Sequence, residues 1–128
     1  MNVVTLSFSH IQISKFVRNE PVTLRIFFND GQNKFFDKTT DISNTEELTQ
    51  EVINEARKIT KESNSKRTGD FLDGTVVVKF AEDEEKLEEK MIMTFARIKG
   101  DLKRLRTMNT STNYLQNIAS FQGSKYNI

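Results

Sequence analysis

The sequence predicts an α+β fold: a mainly antiparallel sheet of four or five strands with two helices packed on it, in the order β-β-β-(β)-α-β-α. Three observations carry this expectation. Apolar and polar residues alternate through roughly the first 40 positions. The period lengthens to about 3.6 over residues 45 to 62, and again after a β-branched run, over residues 84 to 106. Leu, Ile, Val and Phe together make up about 28% of the 128 residues, above the level of roughly 20% below which a chain stays disordered.

Taken in order, Val4, Leu6 and Phe8 alternate with Thr5, Ser7 and Ser9, and the apolar parity then flips to Ile11 and Ile13. A period of two that changes phase needs one extra residue, so Ser9 and His10 mark a β-bulge or a corner between two strands. "RNEP" at 18 to 21 reads as a turn. Val22, Leu24, Ile26 and Phe28 form the next strand, "NDG" at 29 to 31 supplies residues that tolerate positive φ, and "KFFDK" returns as its hairpin partner. Leu48, Val52, Ala56 and Ile59 line one side of a helix over residues 45 to 62. Ser43 or Asn44 caps it, with Glu46 or Glu47 three positions on, and "SNSKRTGD" breaks it. "FLDGTVVVKF" reads as a strand, central because Val76, Val77 and Val78 would cover both faces.

Leu87, Met91, Phe95, Ile98, Leu102 and Leu105 fall within about 80° on a helical wheel, which makes residues 84 to 106 one long amphipathic helix. Glu84 and Glu85 at its start and Lys103, Arg104 and Arg106 at its end match the helix macrodipole. Residues 1–106 are expected to form the domain and 107–128 a polar tail, mobile or a short helix carrying Leu115, Ile118 and Phe121.

The run of strands, helix, strand, helix resembles in outline the ribonuclease-H-like core. That family holds metal through an Asp on its first strand, and "VVTLSFSHIQIS" has none, so the resemblance implies topology and no activity.

Composition removes several function classes. With 19 basic and 18 acidic residues the chain has no global field to draw it to nucleic acid or an anionic membrane. Without cysteine there are no disulfides, thiolate nucleophiles or thiolate metal sites. The N-terminus lacks the basic and apolar regions of a secretory signal, and no apolar run is long enough to span a bilayer, so a cytoplasmic location with no membrane partner is expected. The carboxylates of "EDEEKLEEK" diverge from a helix rather than converge on a turning loop, so no metal site and no cofactor are expected. The one histidine, His10, has no Asp or Glu near it in sequence to orient it as a general base, and no phosphate-binding or nucleophile motif occurs.

Two binding surfaces remain. Ile92 and Met93 lie about 100° and 200° from the centre of the apolar stripe, so the long helix is apolar nearly all round at that turn and needs more cover than one sheet provides. Gly100 would allow close approach of a neighbouring backbone. The expected function is a non-catalytic protein-interaction or assembly module, self-associating or docking on a larger protein through Ile92, Met93, Leu115, Ile118 and Phe121. The alternative is a small nucleic-acid-binding protein. It would use a basic and aromatic hairpin face of Arg25, Phe27, Lys34 and Phe36, together with Lys99, Lys103, Arg104 and Arg106. Which of Phe35 and Phe36 shares a face with Phe27 depends on the hairpin register.

Overall fold

The computed structural model describes residues 2–67, 76–107, 118, 121 and 123–128. Its elements are β1 (Asn2–Lys15), β2 (Val22–Asn29), β3 (Asn33–Thr40), α1 (Thr45–Arg67), β4 (Val76–Phe80), α2 (Glu84–Arg106) and β5 (Lys125–Asn127). The fold is α+β, with a five-stranded, mostly antiparallel sheet and two helices. Strand order is β3-β2-β1-β4, and β5 also pairs with β1.

The phase flip in the first strand is a bulge within one continuous strand of 14 residues, not a corner between two. Phe8 pairs with Phe28 and His10 with Phe27, so Ser9 is the inserted residue. The insertion lets Leu6 on one side of it and Ile11 and Ile13 on the other all point into the core, where each is buried. β1 is the central strand. It runs antiparallel to β2 from Ser7 to Lys15, parallel to β4 from Asn2 to Leu6, and antiparallel to β5 from His10 to Gln12.

The hairpin closes through a three-residue loop, Asp30 to Gln32, with Asn29 opposite Asn33. Gly31 sits at φ 99°, and its N–H donates to Asn29 Oδ1 at 2.9 Å. Asp30 is buried and accepts from Lys34 Nζ at 3.0 Å and Asn64 Nδ2 at 3.2 Å. Lys34 Nζ also donates to Ser63 Oγ. These bonds explain why α1 continues through Arg67, past the "SNSKR" expected to break it. The hairpin tip holds polar residues that are weak helix formers when alone.

Asn44 caps α1, its Oδ1 accepting from the Glu47 N–H at 3.0 Å. Just before it, Ile42 adopts φ 55°, a conformation that costs a β-branched residue of order 1–3 kcal/mol, and its buried side chain offsets that cost in the core. Asp83 caps α2 by accepting from the Glu85 N–H at 2.9 Å. The six apolar residues expected on the inner side of α2 are all buried, joined by Thr94, whose hydroxyl donates to the Lys90 carbonyl at 2.8 Å.

Both helices pack on the same side of the sheet, where Ile11, Leu24 and Ile26 meet Val52, Ile53, Phe95 and Ile98 in one cluster. The triple valine does not make β4 central: among the described residues β4 pairs with β1 alone. Val76 faces the core and Val77 the opposite side, which no described helix covers. Within the segment expected as a tail, Lys125–Asn127 forms β5 and Tyr126 enters the core. Among the described residues no helix is long and apolar enough to cross a membrane.

Two substitutions test this packing. Phe95→Ala should lower unfolding free energy by about 3–5 kcal/mol in urea titrations, because a wholly buried ring leaves a cavity. Gly100 borders open space, with nothing within 4 Å of where a Cβ would stand, so it accommodates no neighbouring backbone. Gly100→Ala should therefore raise stability by about 1 kcal/mol through helix propensity, and a loss would show a contact at that position.

Candidate functional site

Alternation gives the sheet a second face, opposite the helices. The hairpin register decides its content: Phe27 pairs with Phe35, Ile26 with Phe36, and Arg25 with Asp37. Three rings therefore form a row across three strands. His10 stacks on Phe27 with centroids 4.3 Å apart and planes 15° apart, and Phe27 meets Phe35 at 5.4 Å. The Arg25 guanidinium lies 4.4 Å from the centre of the Phe35 ring and grips Asp37 in two bonds, Nε to Oδ1 at 2.9 Å and Nη2 to Oδ2 at 3.2 Å. That hydrogen bonding holds the Asp37 carboxyl below its usual value.

This open face is both apolar and basic. Among the described residues, five large hydrophobic side chains are exposed: Val3 56%, Val17 40%, Phe35 52%, Val77 37% and Met93 72%. Val3 and Val77 are cross-strand partners on the open face, and Phe35 lies on it as well. The register adds Lys15, Lys79 and Lys125 to Arg25, with Asp37 the one carboxylate among the described residues of the face. Its remaining positions, such as Thr5, Gln12, Thr23 and Asn127, are uncharged hydrogen-bonding groups.

Of the hairpin residues expected to act together, Arg25 and Phe27 share this face, and Lys34 and Phe36 do not. Phe36 packs on the helix side, 5.9 Å from Phe28, and Lys34 is tied to Asp30 and Ser63. The three-residue loop sets this parity, which the sequence left open. The basic end of α2 belongs to the helix side as well. Lys99 and Lys103 are exposed there, Arg104 pairs with Asp101, and Arg106 Nη2 donates to the Glu20 carbonyl at 3.0 Å.

Ile92 and Met93 are separated onto two flanks of α2. Ile92 is half-buried in a groove beside Asn44, Glu46, Glu47, Gln50 and Glu88. Met93 lies toward β5, in a groove with Lys90, Arg97 and Ile128. Ile118 and Phe121 pack against the main core, and Leu115 lies outside the described residues. Tyr126, unremarked in the sequence, donates its hydroxyl to Asp101 Oδ2 at 2.9 Å, and burial pushes its ionisation far above the usual phenol range.

The first three carboxylates of the acidic run before and at the start of α2 are occupied locally: Asp83 caps, Glu82 pairs with Lys90 at 2.6 Å, and Glu84 pairs with Arg57 at 2.9 Å. Among the described residues no group of three or more His, Cys, Asp or Glu could hold a metal ion. His10 Nδ1 lies 2.7 Å from Ser9 Oγ, but the charged group acting on the ring is Lys125, not a carboxylate that would fix its tautomer for proton abstraction.

Burial and Lys125 both hold His10 below the ordinary imidazole value of 6.5. The unfolded chain therefore takes up this proton first, so the stability contribution is complete above that value and is lost as pH falls through the lower folded one. The urea midpoint should fall between roughly pH 7 and pH 5, less so in His10→Gln. An equal fall in both proteins would remove His10 as a cause.

Compared with known proteins, the chain matches no protein-family model, no curated protein and no solved structure.

Proposed function

We propose that this chain is a non-catalytic protein-interaction module whose working surface is the open face of its sheet. The observation that carries the reading is that Val3, Val77 and Phe35 are all exposed on one face that no described helix covers, Phe35 at the end of a ring row that spans three strands. Apolar side chains grouped within a polar, charged border are the composition of a protein contact. Met93 is a single exposed apolar side chain on the flank of α2 beside β5, whereas the sheet face carries three, so the principal contact moves from α2 to the sheet. The non-catalytic part of the reading rests on His10, which is stacked on Phe27 and has Lys125 as its charged neighbour. A cytoplasmic location is part of the same proposal.

Single-stranded nucleic acid is the second reading, favoured by four cations against one carboxylate on the face. Ring geometry weighs against it. His10 and Phe27 already cover one face of each other, and Arg25 lies over one face of Phe35, so Phe35 is the one ring of the row among the large exposed side chains and the row is not an open stacking platform.

Two measurements separate the readings. A photoreactive residue in place of Phe35 should form cross-links to protein in cell extract, and Val77→Glu, on the same face, should abolish them. Cross-links that survive Val77→Glu, or that form equally from position 93, would dismiss the open face as the contact. In mobility shifts with single-stranded oligonucleotides we expect no binding tighter than micromolar. A tight complex that weakens more than about tenfold between 50 and 200 mM salt would instead establish the nucleic-acid reading.

A further inference from the structure

We infer that this chain assembles head to tail, the basic open face of one copy seating on the acidic groove around Ile92 of a second copy. The inference rests on the open-face reading and names the partner. Face-to-face pairing of two copies is opposed by charge, since among the described residues Lys15, Arg25, Lys79 and Lys125 against Asp37 leave each face at about +3 and like charges brought together repel.

The complementary surface lies on the helix side. α1 and α2 run antiparallel, with Arg57 meeting Glu84 at one end and Ile92 lying beside Glu46, Glu47 and Gln50 at the other. Glu46, Glu47 and Glu88 border that groove, and none of them forms an ion pair among the described residues. Ile92 offers a half-buried apolar spot among the three carboxylates. The open face presents an exposed Phe35 with the Arg25 guanidinium over its ring, and Lys15, Lys79 and Lys125 elsewhere on the same face. The two surfaces lie on opposite sides of the sheet, so one copy can engage two neighbours at once, and such a heterologous contact propagates rather than closing as a two-fold dimer.

Sedimentation velocity on the full chain tests this. The wild type should form species that grow with concentration at about 50 mM salt and shrink at about 500 mM, where exposed charges are screened. Phe35→Glu removes the face, and Glu46→Lys with Glu88→Lys removes the groove, so each variant alone should be monomeric. Mixed in equal amounts they should form heterodimers and nothing longer, because each keeps one intact surface. Ile92→Glu supplies a second groove variant, and circular dichroism confirms that each is folded. A wild type that stays monomeric at every concentration, or a mixture that yields no heterodimer, overturns the inference. If Phe35→Glu abolishes association while both groove variants retain it, the head-to-tail contact fails and the open face still stands. If Phe35→Glu assembles like the wild type, both fail.

Discussion

An inserted residue at Ser9 in the first strand organises this molecule, and a second irregularity follows between Ile13 and Lys15. β1 is long enough to serve three partners, and a regular strand of that length would turn Ile11 and Ile13 away from the helices if Leu6 faced them. The bulge at Ser9 absorbs the mismatch, so a single strand buries apolar side chains on the helix side along its whole length. Its first half is then free to take β4 in parallel and its second half β2 and β5, and β3 is added through β2. The same insertion turns His10 outward opposite Phe27, so the ring row on the open face follows from the device that completes the core.

Charge is uneven over the surface. The apolar cores of α1 and α2 cover one face of the sheet, and their outer surfaces carry acidic residues in the first turns, where the helix dipole favours them. The opposite face carries three lysines and Arg25, with Asp37 held by Arg25. Near-neutrality of the chain as a whole thus conceals a basic open face and, on the other side of the sheet, a local acidic groove of Glu46, Glu47 and Glu88 around Ile92. Such a molecule has a direction, and that direction is the physical basis of the head-to-tail association inferred above.

The polar anchors show how tertiary contacts extend secondary structure beyond local propensity. Ser63 and Asn64 would end a helix in isolation, yet bonds from Lys34 and to Asp30 hold them as its last turns. The buried Asp30 in turn accepts from Gln32, Lys34 and Asn64, which satisfies it at the tip of the hairpin. Tyr126 reaches Asp101 in the same manner and ties the short last strand to α2.

Local patterns alone determined the class of fold, the inner side of α2, a cap at Ser43 or Asn44 and an irregularity at Ser9 and His10, because each is repeated or broken within a few residues. Composition alone removed cysteine chemistry. Tertiary structure decided the rest. Whether Phe35 or Phe36 joins Phe27 depends on how many residues close the hairpin, a pairing between strands that no single strand encodes. That Ile92 and Met93 part to two flanks, and that Ile118, Phe121 and Tyr126 are drawn into the core, depends on which distant segment reaches each side of α2. A helical wheel shows how much of a helix is apolar; what covers each side is set by contacts between residues far apart in the chain.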